Sequence, residues 1–90
     1  MGQEVRLFES EERMTRSDVA AFVRQVADKI ESGHVVLRQG EQEITLDLPA
    51  HATLEVEVED EDKGARGIEH SLELEITWFD DDQDGPLEVG

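Results

Sequence analysis

Ser71-Leu72-Glu73-Leu74-Glu75-Ile76-Thr77-Trp78 alternates polar and apolar residues without a break and ends on the single tryptophan of the chain. Successive side chains of a β-strand point to opposite faces. Leu72, Leu74, Ile76 and Trp78 therefore share one face, and Glu73, Glu75 and Thr77 the other. A strand of this kind belongs to a sheet with one buried side. Working back from it, the same alternation recurs twice. Thr53–Glu59 places Leu54, Val56 and Val58 together, and Glu43–Leu48 does the same for Ile44, Leu46 and Leu48. His34–Arg38 precedes the latter across Gln39-Gly40-Glu41-Gln42, a glycine turn that makes the two a hairpin. Glu4–Ser10 reads as a short first strand, with Val5 and Leu7 on one side and Phe8 on the other.

One segment breaks the period of two. From Thr15 to Ser32, Val19, Phe22, Val23, Val26, Ala27 and Ile30 recur at helical spacing on one stripe. Thr15 can cap the helix, with Asp18 three residues on and Ser17 as a rival cap, and Met14 and Val19 occupy the positions of a hydrophobic staple. Gly33 stands where a left-handed C-terminal cap needs a residue without Cβ. A helix with one apolar stripe and a sheet with one apolar face can each cover the other. The expectation is α+β, with a single helix packed on one face of a four- to five-stranded antiparallel sheet, a two-layer sandwich spanning residues 4–79. Phe22 and Trp78 would fill the seam between the layers. Asp60–Gly67 reads as a mobile loop, and residues 80–90 as an acidic flexible tail.

Charge is the most unusual global property. The 90 residues carry 24 acids against 8 Lys and Arg, a formal net charge of −16, with a pI near 4.2. Such a chain repels itself. At about 1 M salt the Debye length falls to about 3 Å and most of that repulsion is screened. The composition thus suits a salt-loaded cytoplasm. It provides no basic patch for phosphate contacts, which argues against nucleic acid as a partner. The absence of cysteine excludes disulfides and thiolate chemistry. No apolar run approaches the roughly 20 residues of a membrane helix, and the opening Met-Gly-Gln-Glu-Val-Arg lacks a signal region. The expected location is cytoplasmic, without membrane attachment.

Leu7-Phe8-Glu9-Ser10-Glu11-Glu12-Arg13-Met14-Thr15-Arg16, followed by a helix of the type Val19-Ala20-Ala21-Phe22-Val23, resembles the amphi-Trp domain family. So does the amphipathic strand ending on Trp78, and Leu37-Arg38-Gln39-Gly40 lies at the corresponding hairpin. The likeness runs from about Val5 to Asp80. It implies the α+β fold and a halophilic habitat, since the family is common in halophilic archaea. It carries no catalytic residues, because the family has no assigned activity.

Candidate chemistry is sparse. Asp80-x-Asp82-x-Asp84-Gly85 copies the first half of an EF-hand calcium loop, but position twelve would fall one residue past Gly90 and a strand precedes it. A solvated acidic stretch is the preferred reading of Asp80, Asp82 and Asp84. His34, His51 and His70 are too scattered to define a zinc set. The glutamates of the outer sheet face lack the cleft that a catalytic pair requires. Neither a catalytic residue nor a cofactor is implied, so the chain is not expected to be an enzyme. Trp78 reads first as a core plug, then as an interface anchor, and last as a stacking platform for a nucleotide, against which the surrounding acids argue. Phe8, Val36 and Phe79 cannot all face the same core as Trp78 in regular strands, and suggest a contact patch. The expected function is a protein–protein interaction or assembly module, homodimeric, without catalysis. The alternative is a regulatory or ligand-binding domain whose acidic sheet face takes a cation or a basic partner.

Overall fold

The structure is a computed structural model that describes residues 2–80. It is α+β, with one α-helix and four antiparallel strands. In chain order these are α1 (Arg16–Ser32), β1 (His34–Gln39), β2 (Gln42–Asp47), β3 (Thr53–Asp62) and β4 (Ile68–Thr77). The strands form two separate two-stranded sheets, β1–β2 and β3–β4, where the sequence suggests a single sheet of four or five. The chain divides into two compact units, Met1–Leu48 and Pro49–Gly90, with Pro49 opening the second.

In the first unit, α1 begins and ends where the capping residues require. The Thr15 hydroxyl accepts from the Asp18 N–H at 3.0 Å, satisfying one of the orphan donors of the first turn. Gly33 takes φ +83° and its N–H turns back to the carbonyls of Lys29 and Ile30. Replacing Thr15 by alanine is expected to cost about 1 kcal/mol, read as a lowered urea midpoint of the helical signal. The chain leaves Gly33 directly into β1. Gly40 (φ +58°) and Glu41 form a two-residue turn that pairs Gln39 with Gln42. That register sets Val35 opposite Leu46 and Leu37 opposite Ile44.

Val35 is the only buried apolar residue among those described, at 4% exposure. Val26, Ile30, Val36, Leu37, Ile44 and Leu46 are half-buried. The rest of the helix stripe is not covered. Val19, Phe22 and Val23 remain 46%, 51% and 47% exposed. Phe22 therefore does not fill a seam in the single chain, as the stripe suggested it would.

Residues 4–10 form no strand. Val5 and Leu7 are exposed, and Phe8 is half-buried. The physical reason is a missing ladder, with one local substitute. The Glu9 N–H donates to Gln42 Oε1 at 3.2 Å, and Gln42 Nε2 donates to the Glu9 carbonyl at 3.1 Å. The Gln42 amide thus pairs with the backbone of one residue, Glu9, as a neighbouring strand would, and the pairing goes no further.

In the second unit, β3 and β4 are longer than the alternation suggests. They pair over ten residues, from Thr53 opposite Thr77 to Asp62 opposite Ile68. The stretch Asp60–Gly67, expected to be a mobile loop, begins as ladder through Asp62 and is closed by a 3₁₀ turn at Gly64–Arg66. Asp62 Oδ1 accepts from the Gly64 N–H at 2.8 Å, and Lys63 N–H donates to the Gly67 carbonyl at 2.8 Å. Gly67 (φ +90°) returns the chain into β4. Trp78 and Phe79 lie just beyond β4 rather than within it, with Trp78 half-buried and Phe79 exposed. The acidic stretch expected over 80–90 lies, after Asp80, outside the described residues.

Candidate interaction surface

The register of β3 and β4 sorts their side chains cleanly from Leu54 to Glu59 and from Ser71 to Ile76. One face presents three successive apolar cross-strand pairs, Leu54 with Ile76, Val56 with Leu74 and Val58 with Leu72. Cross-strand pairs of this kind stabilise a sheet. Here they also remain accessible, from 36% at Ile76 to 73% at Val58. Towards the turn the same face closes with Asp60 opposite His70, where His70 Nδ1 lies 2.6 Å from Asp60 Oδ1.

The other face is acidic. Glu55 stands opposite Glu75 and Glu57 opposite Glu73. Like charges directly opposed across strands are destabilising. The Glu57 carboxyl is raised above its ordinary value, chiefly by the charge of Glu55, then by Glu59, by loss of solvent, and by the charge and hydrogen bond of Glu73. Lys63 answers only the end of this row, with Nζ 3.1 Å from Glu61 and 3.9 Å from Glu69.

A sign follows for pH. The folded hairpin holds the Glu57 proton more tightly than the unfolded chain does. Stability therefore falls as pH rises through the raised folded value, and is recovered on acidification towards the ordinary 4.5. Glu57→Gln is expected to raise the melting temperature at pH 7 in dilute buffer. The gain should disappear near pH 4 and shrink in molar salt, as read by circular dichroism at matched ionic strength.

The first unit carries a groove of about 930 Å³ between the segment before α1, the helix and β1. Phe8, Met14, Phe22, Val36 and Leu37 supply its apolar lining, with Arg6 and Arg38 among its polar residues. Each arginine has a neighbouring acid, Arg6 with Glu9 at 3.2 Å and Arg38 with Glu43 at 3.3 Å. Of the expected patch, Phe8 and Val36 meet in this groove. Trp78 and Phe79 belong to the other unit. Asp80 ends the described chain, and Asp82 and Asp84 lie outside it. Among the described residues no group of three His, Cys, Asp or Glu is placed to hold a metal ion. No helix among them is long and apolar enough to cross a membrane.

The histidines take a role that the zinc question did not anticipate. His34 Nδ1 lies 2.6 Å from Asp47 Oδ1, across the first position of the β1–β2 ladder. Each hairpin therefore has one cross-strand His–Asp pair. The signal was available in the sequence. Once Gly40 fixes Gln39 against Gln42, counting back five pairs sets His34 against Asp47.

No curated protein and no solved structure matches the chain significantly. The family model of the Amphi-Trp domain matches residues 1–90. With the Phe-Glu-Ser-Glu opening, the capped helix and the amphipathic strand that runs up to Trp78 all within that span, the chain belongs to the Amphi-Trp domain family.

Proposed function

We propose that the protein is a non-catalytic assembly module, homodimeric and adapted to a salt-rich cytoplasm. The observation that carries this reading is the uncharged face formed by Leu54, Val56, Val58, Leu72, Leu74 and Ile76, all left accessible on a hairpin whose reverse is glutamate. An isolated two-stranded hairpin is marginal in water and gains stability when an apolar face is packed against another layer. The layering suggested by the sequence, a helix stripe over a strand face in a two-layer sandwich, is in this reading completed by assembly. Light scattering in molar potassium chloride is the test. The expected mass is twice the 10.1 kDa of the chain. A mass of one chain at every accessible concentration would rule the dimer out.

A second reading assigns the acidic face to a cation or a basic partner. It draws on Glu55, Glu57, Glu73 and Glu75, which form two opposed pairs on one face of the ladder. Calorimetric titration with calcium, and separately with a lysine-rich peptide, in molar salt distinguishes it. Binding that survives screening supports it, and heat that vanishes with salt removes it.

A further inference from the structure

Resting on the assembly reading above, we infer that the apolar face of β3–β4 seats on the helix face of a second copy's Met1–Leu48 unit, and that the two copies exchange this contact reciprocally. Two apolar surfaces are open in each chain, and they differ in kind. One is the hairpin face of Leu54, Val56, Val58, Leu72, Leu74 and Ile76. The other is the α1 stripe of Val19, Phe22 and Val23, about half accessible and continuing into the Phe8–Val36 groove. A helix stripe and a flat strand face are complementary layers.

Charge decides between the possible pairings. Residues 53–77 hold nine acids and two bases, whereas residues 1–48 hold ten acids and six bases, three of them, Arg16, Arg24 and Lys29, on α1. Stacking hairpin on hairpin would bring together two copies of the more acidic element, each with its glutamates on the outer side. Setting the hairpin on the helix unit brings the acidic element against the one that carries most of the cations, which like-charge repulsion favours. The apolar footprint itself is free of charge, and the glutamate face stays in water.

Area points the same way. Five residues of each strand make a face about 17 Å long, and two strands make it about 10 Å wide. One such patch pressed against its copy falls well short of the roughly 1,000 Å² that a specific interface buries. Reciprocal exchange uses two hairpin faces and two helix faces, and brings the total towards that size. A reciprocal contact is also one that two-fold symmetry can close.

The chain has no cysteine, so introduced thiols report contacts without background. The experiment mixes Phe22→Cys chains with Leu74→Cys chains in molar salt under mild oxidation. Both positions are exposed in the single chain, at 51% and 58%, and retention of helical signal verifies folding. The expected result is a mixed disulfide as the main product, several-fold above the yield of either variant alone. Glu57→Cys, on the opposite face, should cross-link to neither. If Leu74→Cys chains join each other as readily while scattering still reports a dimer, the hairpin-on-helix contact is overturned and the assembly reading survives. If a chain carrying both Phe22→Cys and Leu74→Cys closes only on itself and scattering reports one chain, both fall.

Discussion

Val35→Asp is expected to abolish the helical signal of the protein at room temperature. The first unit has one buried apolar side chain among its described residues, and Val35 is that residue, on the strand that α1 packs against. A carboxylate there would lose its water at the least exposed position of the described chain. The Val35 partner across the ladder is Leu46, and its neighbours along the chain are His34 and Val36. The cost of burying an unpaired charge is several kcal/mol. Small domains have about 5–15 kcal/mol of stability in total, and a 48-residue unit with a core this thin stands at the low end. Val35→Ala is the graded control. It removes two methyl groups and is expected to cost about 2 kcal/mol, leaving a folded but weakened protein. Urea titration followed at the helical band separates the two. A Val35→Asp protein that melts within a few degrees of the parent would show that stability is held elsewhere.

Both the helix and the hairpins were legible in the sequence because local chemistry fixes them. Thr15, Asp18 and Gly33 bound α1 whatever it packs on, since caps act within one turn. Gly40 sets the β1–β2 register for the same reason. Pairing between non-adjacent hairpins has no such local signature. The alternation in β2 and β3 says that each strand has an apolar face, and is silent on whether those faces belong to one sheet. The first strand failed on the same ground. Val5 and Leu7 alternate properly, but a strand exists only where a ladder is offered, and only the Gln42 side chain offers one. Phe8 and Val36 could be grouped from the sequence as apolar residues out of place, and they do share a groove. Phe79, grouped with them on the same ground, and Trp78 belong to the second unit, and alternation within a strand does not reach across the division at Leu48 and Pro49.

The alternation carries a further consequence in β3 and β4. Had apolar and acidic residues been interspersed on both faces, no surface would be fit for contact and none for brine. The strict period of two in Leu54–Glu59 and Leu72–Thr77 instead gives one face without charge and one with opposed carboxylates. The same spacing that makes the contact face also concentrates the repulsion behind it. Packing of the first and screening of the second therefore act on one element.

Raising potassium chloride from about 0.05 M to about 3 M is expected to increase the melting temperature by at least about 10 °C, which for a chain of this size corresponds to about 2 kcal/mol. Two effects add. Screening shortens the Debye length to a few Å or less, so the net charge of −16 and the opposed pairs Glu55–Glu75 and Glu57–Glu73 cease to repel over the distances between them. Chloride also weakens the ion pairs of Lys63 and of Arg38, but those are exposed and contribute little. A mixed surface would show these terms cancelling; this one is too one-sided for that. The second effect is assembly. Screening reduces repulsion between copies, and binding to the folded form raises the melting temperature further, in a way that depends on protein concentration. The two separate experimentally. In Leu74→Glu, which charges the apolar face, the concentration dependence should vanish while most of the salt dependence remains. A melting temperature indifferent to salt, in the parent and in this variant alike, would mean that the carboxylate face is not a source of strain in the fold.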